Sequence, residues 1–306
     1  MPRTAHPSPA RIGLGDPRLL VVAAATLWGT TGTARALGPA DASPAAVGAA
    51  RMIVGGACLV AAARWTGVLA RRHGPGGAAW PAGGAPALAL AAVALAAYQP
   101  LFFGGVARTG VAVGTVVGIG SSPVFAGLLG LLVRGERAGA RWIVATGLAV
   151  VGTALLIGTG GGDDVDPAGV ALAVGAGLSY AVYALGTKLA FDRGWPADAV
   201  TVRVLGLAGL LLVPVALVAG VGPLLTPRGL VMVAHLGVVT VAVAYLVYGR
   251  GLHGVGVGAA GTLTLAEPAT AATLGVVVLG ERFGGTTAAG IALVVAGLVV
   301  LVVQRR

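Results

Sequence analysis

Charge is scarce in this chain. Only 10% of its 306 residues are Asp, Glu, Lys or Arg, where a soluble domain carries roughly 25%. Too little polar surface remains to face water all round. Cysteine is scarcer still: the lone Cys58 lies in an apolar run and has no partner within the chain, which excludes a disulfide-stapled secreted domain. The sequence also lacks a Walker A string, a His-Glu-x-x-His pair, a Gly-x-Ser-x-Gly elbow and any cysteine/histidine cluster. No nucleotide hydrolysis, enzyme chemistry, metal or cofactor is therefore expected. Gly256-x-Gly258-x-x-Gly261 fits the dinucleotide fingerprint as a string, but no strand precedes it and close helix packing explains it.

What the chain has in abundance is apolar length. Hydrophobic residues make up 57% and glycine contributes 53 positions, and the mean hydropathy is +0.94. The formal net charge of +10 would suggest nucleic acid in a soluble protein, but a basic stripe needs a water-soluble scaffold. The partner implied is the lipid bilayer, with no nucleic acid. Ten apolar segments, each near the length of a membrane-crossing helix, run Leu19–Leu37, Pro44–Ala63, Ala85–Val106, Val111–Val133, Trp142–Ile157, Ala168–Ala190, Ala199–Val218, Leu230–Gly249, Val255–Leu279 and Ala288–Val303. They are continuous and rich in Ala, Leu and Gly, without the alternation a membrane barrel requires. The fold class expected is all-α integral membrane, with ten transmembrane helices. The basic residues before Leu19 resemble the front of a signal peptide, but the run behind them is longer than a signal core and its Trp28-Gly29 pair belongs to a repeated pattern.

Basic residues set the orientation. With the N-terminus cytoplasmic, fourteen of the 20 Lys and Arg fall on inside segments, four (Arg35, Arg108, Arg228 and Arg282) on outside loops, and Arg51 and Arg203 within spans. Both termini are then cytoplasmic, the Asp163–Asp166 loop faces outward, and the net charge reads as a topology signal for a multi-pass cell-membrane protein.

The chain also repeats itself. At a shift of 145 residues Pro123 falls on Pro268, Gly130 on Gly275 and Gly135-Glu136-Arg137 on Gly280-Glu281-Arg282. Earlier the shift is 152: Pro44 matches Pro196, Arg51 matches Arg203, and Trp28-Gly29 sits opposite Tyr180-Ala181. Each half holds five spans, as units 19–158 and 168–303. Five is odd, so the second unit enters the membrane facing the other way, the inverted-repeat device of secondary transporters.

These residues carry a resemblance. Span 4 with Pro123 and its Gly135-Glu136-Arg137 ending, span 9 with Glu267-Pro268 and Gly280-Glu281-Arg282, the opening Leu27-Trp28-Gly29-Thr30 and Arg51 together resemble the EamA family of the drug/metabolite transporter superfamily, over nearly the whole chain. The resemblance implies a ten-helix carrier, often an exporter, of small metabolites such as amino acids or drugs. It names no single substrate, coupling ion or oligomeric state. A passive channel or facilitator is the alternative.

Where the chemistry sits is read from the residues. Pro123 and Pro268 each remove a helical hydrogen bond and mark kinks where spans 4 and 9 line a path. Glu267 is the one carboxylate well inside a span, a costly placement in hydrocarbon. It either carries a coupling proton, pairs with a cationic substrate group, or bonds the backbone freed by Pro268. Arg51 and Arg203, each seven residues past a helix-opening proline, read as anchors or gate residues more readily than as substrate contacts. Trp28, Tyr98, Ser122, Tyr180, Tyr183 and Tyr245 are candidate walls of a mixed polar and aromatic substrate cavity, with ordinary packing as the alternative. His235 reads as a core hydrogen-bonding residue.

Overall fold

The computed structural model describes residues 16–67, 84–137, 139–157, 166–280 and 285–302. Among these the regular structure is entirely helical: α1 Pro17–Ala36, α2 Pro44–Trp65, α3 Ala85–Arg134, α4 Ala140–Ile157, α5 Pro167–Asp192, α6 Ala197–Leu211, α7 Val213–Ala219, a 3₁₀ turn Gly222–Leu225, α8 Pro227–His235, a π-helical stretch Leu236–Val243, α9 Ala244–Gly254, α10 Val257–Leu263, α11 Ala266–Leu279 and α12 Gly285–Val302. The starts are written in a short code. Asp16, Ser43, Asp166 and Thr226 accept a backbone N–H of the following turn, and a proline stands immediately after each. The side-chain oxygen satisfies a free donor, and the proline sits where no donor is needed. Gly135 and Gly280, one repeat apart, close α3 and α11 at φ of 65° and 72°, the left-handed position that glycine takes without steric cost.

Among the described residues, seven helices are long and apolar enough to cross a membrane: Pro44–Trp65, Ala85–Thr109, Val117–Arg134, Pro167–Asp192, Ala197–Ala219, Pro227–Gly254 and Val257–Leu279. The expected count of ten is thus met in part. The apolar stretches Ala140–Leu155 and Ala288–Val302 are shorter, and α1 carries four threonines and two arginines within its 20 residues.

Helix α3 is helical over 50 residues, Pro100 and Pro123 included, yet it is two spans. Gly118 faces Phe102, and a Cβ there would stand 3.3 Å from that ring. A straight helix would hold residues so far apart in sequence about 24 Å from each other. The chain therefore doubles back between Thr109 and Val117, a reversal that Gly114 permits by lying directly against Val106 and Thr109.

Contacts between helices carry a twofold pattern. α1 packs on α9 and α11, and α5 packs on both arms of α3, which are the corresponding spans of the other half. α2 pairs with α6, α4 with α12, and the second arm of α3 with α10. Glycine and alanine bring these backbones close. Gly56 sits on Leu205 and Gly209 on Met52, Gly152 on Gly290 and Val294, and Gly261 on Pro123 and Ala126. The buried core is accordingly rich in alanine, while Leu132, Val218 and Val277 are turned outward, as a lipid-facing surface requires.

Candidate functional site

The two prolines of the repeat resolve differently. Pro123 leaves α3 helical. The carbonyl it frees, that of Ile119, accepts the Ser122 hydroxyl at 2.9 Å. Before Pro268 the helix breaks into α10 and α11 at Thr264 and Leu265, and the Thr264 carbonyl accepts the Glu267 N–H at 3.0 Å. Both kinks are therefore satisfied locally. The residue ahead of each proline, Ser122 in one half and Glu267 in the other, faces the same small void of about 30 Å³, shared with Tyr98, Tyr180 and Thr264.

From that void a cavity of about 530 Å³ extends along α1, α2 and the first arm of α3, with Thr31, Arg35, Arg51, Tyr98, Phe102 and Glu267 on its wall. Arg51 is the cation whose charge acts on Glu267. Tyr98 and Tyr245 feel both charges. No ion pair joins Arg51 to Glu267 among the described residues.

Behind the cavity lies an aromatic cluster. All five tyrosines of the chain and Trp28 form one continuous network of ring contacts, drawn from α1, α3, α5 and α9. The Trp28 ring stands 4.9 Å from that of Tyr245 and 5.2 Å from that of Tyr248. Of the expected wall residues, Tyr98, Ser122, Tyr180 and Glu267 border the cavities. Trp28, Tyr183 and Tyr245 are buried in the layer behind them. Tyr248 belongs to that layer too, three residues on from Tyr245 on the same face of α9.

Arg51 and Arg203, equivalent in sequence, part company in space. Arg51 enters the cavity. The Arg203 guanidinium lies 5.1 Å above the Trp195 ring and donates to the Ala199 carbonyl at 3.1 Å. Gln99, which composition and spacing did not single out, is 2% exposed and carries two amide atoms without a partner. An amide next to Pro100 in an apolar run was the signal available for it.

A model of the EamA-like transporter family matches residues 18–158 and again 167–303. The chain belongs to that family. It is 42% identical, over 283 residues and 92% of each chain, to the uncharacterized transporter YwfM of Bacillus subtilis (strain 168). A solved structure titled only as the crystal structure of a protein superposes with a TM-score of 0.79, covering 94% of this chain and 96% of that one at 22% identity, and so shares the fold.

The repeated family signature has a structural task at one end of the bundle. Glu136 Oε2 accepts the N–H of Val257, the first residue of α10, at 2.8 Å, and Oε1 accepts from Arg134 Nε at 2.7 Å. Arg134 also forms an ion pair with Asp192. Glu281 and Arg282, the matching pair of the second half, lie outside the described residues, as do Trp80 and Phe283. Close by, Lys188 Nζ donates to the carbonyls of Leu252, His253 and Val255, each at 2.8 Å, and Arg250 grips Asp198 with two hydrogen bonds of 2.8 Å. At the other end the two halves are joined by weaker links: Arg108 to Asp166 at 3.6 Å, largely exposed, and the Ser43 hydroxyl to the Ala219 carbonyl at 3.3 Å. His235, on the flank of the bundle, bonds the Thr30 hydroxyl at 3.0 Å.

Proposed function

We propose that this EamA-like transporter is a secondary-active carrier of small metabolites, such as amino acids or drugs, built from ten spans in two inverted five-span units and working as an exporter by alternating access. The observation that carries this reading is the difference between the two ends. A cavity reaches Glu267 from the end where α1 gives way to α2, whereas the cavity of about 510 Å³ at the other end stops short of Glu267, and there the Arg134, Glu136 and Asp192 contacts tie the two halves together. With both termini cytoplasmic, the open end faces outward, and rocking of the units would break the inner links and form their counterparts outside. In this reading Glu267 carries the coupling proton, which its position as a carboxylate on the cavity wall at the break between α10 and α11 supports.

Proteoliposomes loaded with a panel of small metabolites test this. The expected result is efflux that responds to an imposed proton gradient in the native protein and loses that response in Glu267→Gln. Transport that runs only down the solute gradient, with or without an uncoupler, would establish a facilitator instead.

A further inference from the structure

We propose that the groove on the flank of the bundle, between α1, α8 and α11, binds an anionic phospholipid. Its phosphate lies on Arg228, its glycerol ester region at Thr33, and one acyl chain against Val231, Met232 and Leu274. The site is separate from the cavity at Glu267, because α1 stands between the two. Thr30, Thr33 and Leu37 line the groove, whereas Thr31 and Arg35 line the cavity.

The first observation is a charge without a match. Arg228 stands in the first turn of α8, a turn that holds no acidic residue, so it meets the positive end of that helix uncompensated. No acidic residue lines the groove. Among the described residues no ion pair or hydrogen bond engages the Arg228 side chain. A phosphate supplies the missing negative charge and accepts the paired N–H bonds that a guanidinium offers. A headgroup that also carries an ammonium finds no carboxylate there, so the groove selects a net anionic lipid over a zwitterionic one.

The second observation is an idle hydroxyl. Thr26, Thr30, Thr270 and Thr273 each donate to a carbonyl one turn earlier in the same helix, which satisfies a hydroxyl where no water is at hand. The Thr33 hydroxyl lines the groove and has no hydrogen-bond partner among the described residues. Thr30 is joined to His235 at 3.0 Å, which closes the floor. Thr33 stands three residues nearer the mouth, about 4.5 Å along α1, at a height between His235 and Arg228. An ester carbonyl of the lipid accepts from it there.

Depth and lining agree. Arg228 and His235 lie seven residues apart on one face of α8, or about 10 Å, against about 15 Å for one leaflet of the hydrocarbon core. Between them the wall is apolar, and the groove encloses about 600 Å³. Val231 is 72% exposed on its lip, so the groove opens sideways to lipid. α1 belongs to the first repeat and α8 and α11 to the second, so a lipid held here bridges the two units.

The test uses purified full-length protein in phosphatidylcholine nanodiscs doped with a diazirine-bearing acyl lipid, either phosphatidylglycerol or phosphatidylcholine. After illumination, mass spectrometry maps the labelled residues. Label should fall on Val231, Met232 and Leu274, with the phosphatidylglycerol probe favoured about fivefold, the gain expected from one basic residue on an anionic lipid. Arg228→Gln should bring the two probes level. Arg193→Gln, which removes the same charge at the opposite end of the bundle, should leave the preference intact. Leu274→Trp, which fills the groove, should remove label from Val231 with both probes. Equal labelling of the groove by the two probes in the native protein overturns the proposal, as does label that avoids the groove or a preference that survives Arg228→Gln. The thermal midpoint gives a second reading: it should rise with added phosphatidylglycerol in the native protein. A midpoint indifferent to headgroup also overturns the proposal. Both comparisons on the native protein hold even if a variant fails to fold, and neither depends on what the cavity at Glu267 carries.

Discussion

Glu136, just past the end of α3 in the first repeat, holds the N–H of Val257 at 2.8 Å and so caps a helix of the second repeat. The negative side chain meets the positive end of the α10–α11 span, across the boundary between the two units. The Gly-Glu-Arg signature thus divides its labour: the glycine ends a helix in the left-handed conformation, and the glutamate starts the helix that faces it.

Removing this cap should loosen one end of the bundle selectively. Glu136→Ala is expected to cost about 1–2 kcal/mol, the range for a charged helix cap. The check is the detergent melting temperature together with cysteine accessibility. A cysteine placed at Ala259, on the cavity wall beside Glu136, should become more reactive in that background, and one at Leu37, at the opposite end, should not.

Lys188 is the only lysine of the chain and ends α9 by donating to three carbonyls. Lys188→Met keeps the apolar stem and leaves those acceptors uncapped. A loss of about 1–3 kcal/mol follows from stranding buried acceptors. Chemical denaturation in mixed micelles measures it, with a midpoint unchanged from the native protein counting against the assignment.

Close packing of α1 on α11 predicts a contrast within one helix. At Gly29 a Cβ would stand 2.8 Å from the Glu267 carbonyl, whereas at Gly32 nothing lies within 4 Å. Gly29→Ala should destabilise by about 1–3 kcal/mol through overpacking and lower transport. Gly32→Ala should stay within about 0.5 kcal/mol. Thermal stability of the two variants side by side decides the point.

Topology yields a further check. In a Cys58→Ala background, a cysteine at Ala168 should react with an impermeant maleimide added to whole cells. A cysteine at Arg193, at the opposite end of α5, should react only after the membrane is opened. The reverse pattern would invert the orientation assigned from the basic residues.

Much of this was legible in the sequence because hydrocarbon is an exacting solvent. Seven of the ten expected spans, the repeat and the helix break before Pro268 follow from apolar length, from glycine and from proline. The partner of each span follows from packing, which hydropathy does not encode. The parting of Arg51 and Arg203 shows the limit best. Their spacing is the same, but Ser43 precedes the proline in one half where Trp195 does so in the other. The indole gives Arg203 a surface to stack on, while the small serine spends itself on capping α2. Pattern matching equates the two arginines, and a neighbouring side chain separates them. Gln99 escaped notice for a related reason: with no polar counterpart in the other half, symmetry did not point to it.

The reversal inside α3 leaves no slack between its two arms. Two spans joined by a long loop can tilt or slide on their own; here only the few residues between Thr109 and Val117 separate the arms, so neither moves far without the other. The first arm carries Tyr98 and Gln99, and the second carries Ser122, Pro123 and, at its far end, Arg134. Displacement of the Arg134 end would be carried along the second arm to Ser122, at the small void it shares with Tyr98 and Glu267.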